Sequence, residues 1–268
     1  MVQLSKADTK VLSQVFDPES SPATEILIDP YLPNDRHIKS PELLSKLQAQ
    51  EKSAIRLIED YESQSHSSQA EEEEETSIPT DDENKKHTPY TSALAILDPL
   101  VSAQPLYASA LNNRAQLHRW RYGDHKTLVQ NPNTQDPDRA RAATSALRDL
   151  HAAIRLASPP NAASAVSPAQ GKLLAQAHTQ LAALYYAASR DFESSAEEGV
   201  EVVVVEGLGE AAGWGREVFE EEGSRHFYLG GMYGNEVARQ LAVVTNPHAK
   251  VCGRIVREAL RKEMGGEA

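Results

Sequence analysis

The stretches ALAILDPLVSAQP, residues 93–105, and ALRDLHAAIRLASP, residues 146–159, decide the fold. Ala93, Leu97, Leu100 and Pro105 stand at relative positions 0, 4, 7 and 12. Ala146, Leu150, Ala153 and Pro159 stand at 0, 4, 7 and 13. Residues four and seven apart share one face of a helix. Each set therefore describes a helix with a small residue at its start, an apolar stripe and a proline stop. A helical unit that recurs along a chain predicts an all-α architecture of stacked helices. Such proteins act by presenting a groove to another protein.

Working outward, residues 105–122 and 139–157 read as helices on either side of a turn-rich insertion, GDHKTLVQNPNTQDPD, at 123–138. Residues 89–104 form a shorter helix interrupted by Pro99, which is expected to kink it or delay its start because proline lacks the N–H that closes a helical turn. Ser40-Pro41-Glu42 offers an N-cap and a first-turn proline for a helix to about Tyr61. Residues 169–189, 213–233 and 235–244 are further helices, and Asn246-Pro247 opens a last one to about Met264. A short amphipathic helix is expected at 7–16. Residues 62–88, with the run Glu71 to Glu75, carry too little apolar surface to offset their ordering entropy and read as disordered. Val202 to Val205 has strand propensity, but no second comparable strand is apparent, so a loose acidic insert is expected at 191–211. These boundaries give an N-terminal motif and linker (1–40), a helical-repeat domain (41–264) and a short tail (265–268).

Apolar residues make up 40% of the 268-residue chain and aromatic residues 6%, which suits a helical scaffold with sizeable segments outside a core. The net charge of −12 is unevenly spread. Residues 62–88 carry −7 and residues 191–222 carry −10, so the rest is mildly basic at +5. No concentrated basic stripe with stacking aromatics speaks for nucleic acid. No apolar run reaches the ~18 residues that span a bilayer, and the polar start, Met1 to Lys10, lacks the apolar core of a signal peptide. The reading is a soluble protein of the cytoplasm or nucleus. The single cysteine, Cys252, excludes an internal disulfide and reads as a thiol on an apolar helix stripe.

The small–large–small pattern followed by proline resembles the tetratricopeptide repeat, a helix pair of ~34 residues. Ala115 and Ala183 fit the place where helices cross closely, because axes ~8–10 Å apart need small side chains there. Three blocks resemble the tetratricopeptide repeat protein 36 family more narrowly. They are Lys10-Val11-Leu12-Ser13-Gln14-Val15-Phe16-Asp17-Pro18, then Leu111-Asn112-Asn113-Arg114-Ala115-Gln116, and finally Ala238-Arg239-Gln240-Leu241 with Asn246-Pro247-His248-Ala249-Lys250-Val251-Cys252. The resemblance implies about three helical hairpins in a right-handed superhelix with a C-terminal capping helix. It also implies non-catalytic adaptor work, a link to tyrosine metabolism and association with heat-shock chaperones. The chain departs from the pattern where Ala115 and Ala146 lie 31 residues apart, against roughly 12 in a regular repeat, at Pro99, and at the acidic valine-rich insert.

By the same resemblance, Asn112, Asn113, Gln116, Arg119, Lys172, Gln176 and Thr179 line the concave groove and meet a protein or extended peptide. A polar, mildly basic groove suits an acidic segment, and the acidic insert 62–88 is a candidate to occupy it in cis. A clamp for the carboxylates of a chaperone tail is represented by Asn113 alone, since Gln48 replaces a lysine and Thr179-Gln180 stand where a basic residue is expected. The alternative roles are a chaperone cofactor or a stability factor for a metabolic enzyme. No cofactor, metal or catalytic residue is assigned. Among His118, His125, His151 and His178 none has a partner at metal-ligand spacing, and no nucleophile elbow or phosphate loop is present.

Overall fold

A computed structural model describes residues 26–69, 85–134, 136–161 and 164–247. The blocks at 10–18 and 248–252, including Cys252, and the glutamate run at 71–75 lie outside them. Among the described residues there are seven helices: α1 (Pro41–Gln69), α2 (His87–Ala103), α3 (Ala108–Tyr122), α4 (Pro137–Ala157), α5 (Pro168–Glu198), α6 (Arg216–Met232) and α7 (Glu236–Thr245). Two short strands, β1 (Val129–Gln130) and β2 (Val203–Val204), complete the fold, which is all-α. Each helix packs on the next in the chain, and α3 also touches α5.

Local chemistry sets the helix ends. Ser40 Oγ accepts from Leu43 N, as the Ser-Pro-Glu motif predicts. Asp136 caps α4 by accepting from Asp138 N and Arg139 N. Ser167 and Gln170 form a reciprocal capping box at α5, followed by Pro168 in the first turn, and Gly199 ends that helix in the left-handed conformation. Asn235 caps α7 through Ala238 N.

Four expectations are corrected. Pro99 does not delay the start of α2, which begins at His87 and carries the proline inside it, and Leu97, Leu100 and Val101 around it are buried. The stretch read as disordered from residue 62 is helical as far as Gln69. There Trp120 Nε1 donates to Glu62 Oε1 at 2.9 Å and stacks edge-on to Tyr61, so α3 holds the end of α1. Helix α5 runs nine residues past Ser189. Its extension is anchored by Asp191, which accepts from Lys126 N at 2.6 Å and meets His125 Nδ1 at 3.2 Å. Finally, the valine run has a partner strand. Val203 and Val204 pair antiparallel with Gln130 and Val129 of the turn-rich insertion. Each insertion supplies one strand, so neither shows a pairing pattern by itself.

The small-residue stripes are buried as read: Ala93, Ala115 and Ala146 are 1% exposed or less. At the α5–α6 crossing the closest approach is made by glycine instead of Ala183. A Cβ on Gly223 would stand 3.1 Å from Tyr186 N, and one on Gly230 would stand 2.7 Å from Thr179 Oγ1. Gly231 likewise lets α6 meet α7, with Arg239 Cα 2.8 Å from where its Cβ would be.

A charged network lies inside this helical stack. Arg114 on α3 is buried, and its guanidinium donates to both oxygens of Asp149 on α4 at 2.7 and 2.9 Å and to Asp98 on α2 at 2.8 Å. Three helices thus share one cation. Desolvation works against the charge, but the two carboxylates outweigh it and raise the Arg114 pKa.

Two stability predictions follow from these contacts. Arg114→Met should cost about 3–5 kcal/mol in urea unfolding, because buried Asp149 loses both its short bonds and keeps only a 3.7 Å contact to the exposed Arg148; the double change with Asp149→Leu should recover much of that loss. Gly231→Ala should lower stability by about 1–3 kcal/mol through overpacking on α7, despite alanine's better helix propensity, and a raised melting midpoint would contradict the crossing geometry.

Candidate protein-binding groove

The first helices of successive pairs, α1, α3 and α5, face a common cleft. One part, of about 380 Å³, is bounded by Gln48, Glu51 and Ile55 of α1, Ser109 and Asn113 of α3, and Lys172 and Gln176 of α5. The segment Asn34–His37 closes one side. A second part, of about 270 Å³, continues between α1, α2 and α3 past Ile58, Glu59, Gln116 and Trp120. Ile55 and Asn113 line both parts, so the two are contiguous.

At the floor sits Glu51, only 5% exposed. Tyr107 Oη donates to its Oε2 at 2.5 Å and Asn113 Nδ2 to its Oε1 at 2.8 Å. Burial raises the carboxyl pKa, while the donors from Tyr107, Ser109 and Asn113 pull it back. Tyr107 is itself pushed well above the usual phenol range, first by burial and then by the adjacent Glu51 charge. Arg36 of the closing segment donates to Ser158 O at 2.9 Å, which fixes that segment against the end of α4.

Four of the seven sequence candidates meet in this cleft: Asn113, Gln116, Lys172 and Gln176. Gln116, Lys172 and Gln176 are exposed, and Asn113 is half-buried. The other three are placed elsewhere. Asn112 is 1% exposed and its Oδ1 accepts from Gln180 Nε2 at 2.9 Å, tying α3 to α5. Arg119 is held by Asp124 through two bonds of 2.7 and 2.8 Å and donates to Gln180 Oε1. Thr179 donates to Ala175 O and lies against Gly230 of α6. Helical stepping explains the split, since one residue turns a side chain by about 100°. Glu51 escaped the sequence reading, although Gln48, Glu51 and Ile55 at intervals of three and four mark an α1 face that shares their direction.

The charge expectation also changes. The lining carries the carboxylates of Asp35, Glu51, Glu59 and Glu62 against the cations Arg36 and Lys172. The lining is therefore acidic where the sequence suggested a mildly basic one.

A separate polar cluster is buried between α5 and α6. His178 Nδ1 and His226 Nδ1 are 2.8 Å apart with the rings stacked, so one nitrogen donates and the other accepts. His151 Nε2 bonds Tyr185 Oη at 2.9 Å beside them. The partnering of His178 was missed because its mate lies 48 residues on. Among the described residues no group of three or more His, Cys, Asp or Glu could hold a metal ion.

Comparison with known proteins gives one relationship of full length. An all-α stack with a polar groove defines only a broad class, and neither a protein-family model nor a solved structure matches the chain. It is, however, 37% identical over 270 residues to the L-tyrosine degradation gene cluster protein hmgX of Aspergillus fumigatus, covering 98% of this chain and 94% of that protein. The chain belongs to the hmgX family. The narrower resemblance to tetratricopeptide repeat protein 36 gains no further support from these comparisons. No helix among the described residues is long and apolar enough to cross a membrane.

The buried histidines predict a defined pH response. Desolvation lowers the pKa of His118 and His178 to about 4 and that of His226 to about 3. The positive charges of Arg225 and His151 depress the α5–α6 pair further, while Glu222 lies 3.9 Å from His226 Nε2. The unfolded chain takes up these protons near pH 6.5, whereas the folded chain resists until about pH 4. Stability is therefore complete above pH 6.5 and falls as the pH drops toward 4, by up to about 1.4 kcal/mol per pH unit for each histidine. Burial raises the carboxyl values of Glu51 and Asp191, which act in the opposite sense. Urea midpoints at pH 7.5, 6.5 and 5.5 should decline in that order, and a flat series would refute the assignment.

Proposed function

We propose that this chain is a non-catalytic adaptor of the tetratricopeptide-repeat type, serving tyrosine breakdown by holding a partner protein in the groove across α1, α3 and α5. The carrying observation is the groove itself, in which exposed Gln116, Lys172 and Gln176 surround a floor of mutually bonded polar groups. Glu51, Tyr107 and Asn113 satisfy one another, which is the arrangement of a rigid recognition surface. Membership of a family with a tyrosine-degradation cluster protein supports the metabolic setting. The partner segment is extended and basic, to complement the acidic lining, and an enzyme of tyrosine breakdown is the partner to seek.

The acidic lining speaks against the chaperone-tail alternative. Asn113, its one clamp-like residue, is already bonded to Glu51, and a second carboxylate beside that group would meet repulsion.

Affinity purification with mass spectrometry tests the reading, using the parent chain and Gln176→Trp, which fills the cleft from an exposed position. The parent should retain an enzyme of tyrosine breakdown, and the variant should lose it by about tenfold or more, the scale of a well-packed interface contact. Retention of the same enzyme by the filled groove, or recovery of no such enzyme with the parent, would overturn the proposal.

A further inference from the structure

The face of the molecule carrying the ribbon holds a second cleft, of about 730 Å³, between the β1–β2 pair and α4. Its floor is apolar, made by Pro137, Ala140, Val203 and Val205. One wall is α4, where Arg141 and Arg148 are seven residues apart and so share a face; their side chains are 75% and 68% exposed. Arg155, seven further on, is exposed as well. The other wall is β2, which has no strand beyond it among the described residues.

The pairing register says what that edge offers. Val205 N donates to Leu128 O at 3.0 Å, immediately beyond the Val129–Val204 pair. Val129 and Val204 are thus a pair that does not exchange bonds with each other, and the Val204 N–H and C=O turn away from β1. A free strand edge of this kind accepts another strand. Gln130 supplies an independent sign. It is 5% exposed, lines this cleft, and its Nε2 has no hydrogen-bond partner among the described residues. A buried amide donor without an acceptor is uncommon and costly.

We propose that this cleft binds an extended acidic segment of a partner protein, which adds as a strand to the β2 edge. Its backbone bonds Val204, and its carboxylates meet Arg141 and Arg148. Apolar side chains, alternating with the acids, rest on the valine floor, as the two-residue period of a strand requires. Two carboxylates belong to the cleft, and neither fills this role. Asp136 caps α4. Glu206 sits at the end of the ribbon, where its carbonyl accepts from Thr144 Oγ1. Arg141 pairs with Asp138 at the surface, and Arg148 Nε lies 3.7 Å from Asp149 Oδ1; an incoming carboxylate can replace the first because exposed pairs contribute little, and the second because Arg114 already holds Asp149 by two short bonds.

The test uses the full chain on an array of short random-sequence peptides, with the double variant Arg141→Glu/Arg148→Glu beside it. Both substituted side chains are well exposed, and circular dichroism checks that the fold is kept. The parent should enrich peptides that alternate Asp or Glu with β-branched residues. The variant should lose them by about tenfold or more, the range for removing charge complementarity at an interface, and should turn toward Lys-containing peptides. Amide exchange at Val204 should slow when an enriched peptide is added. No preference for acidic peptides, an acidic preference that survives the charge swap, or an oligoribonucleotide that binds the parent in their place would each overturn the proposal. Gln176→Trp leaves this cleft untouched, so its outcome is independent of the groove reading.

Discussion

Helix α3 depends on three consecutive residues, and the rest of the described fold depends on α3. Asn112 bonds Gln180 of α5, Asn113 bonds Glu51 of α1, and Arg114 bonds Asp98 of α2 and Asp149 of α4. Successive steps of about 100° send these side chains to three sides of one helix. A buried guanidinium with two carboxylates tolerates little displacement, since each bond lost strands a charge in a low-dielectric interior. The network thereby fixes the angle of α3 about its own axis. That angle in turn decides which residues reach the groove.

The same constraint gives the molecule two faces of different character. On the groove side, α1 contributes Glu51, Glu59 and Glu62 and leaves Lys172 among few cations. On the ribbon side, α4 presents arginines beside an open strand edge. A net charge of −12 conceals this division. The surplus acid of the chain sits partly in the glutamate run, outside the described residues, and partly in residues 191–222.

The helical architecture was legible because the stripes are local. Ala93, Leu97 and Leu100, and Ala146, Leu150 and Ala153, declare their buried faces within two turns. The cap at Ser40 was equally plain, since it is settled by residues three positions apart. Four candidates taken from a family pattern of first-helix positions line the cleft. Asn112, Arg119 and Thr179 were misplaced because their surroundings depend on Gln180, Asp124 and Gly230, which no local pattern links to them. Long-range pairs were hidden for the same reason, among them Glu51 with Tyr107 and His178 with His226. The helical end of α1 was hidden too, because a polar run reads as disordered until Trp120 is known to receive it.

The ribbon has a consequence for how the chain assembles. By joining Val129 to Val204 it ties the neck of a loop that contains the whole of α4 and α5. Closing so long a loop is entropically unfavourable, and contacts of high sequence separation are the slow ones in folding. The α3–α4 and α5–α6 pairs can form from nearby partners, while the two strands must wait until those pairs have docked. The ribbon is accordingly a latch that closes last. Its small hydrogen-bond complement also places it at the low end of local stability, where native-state opening begins.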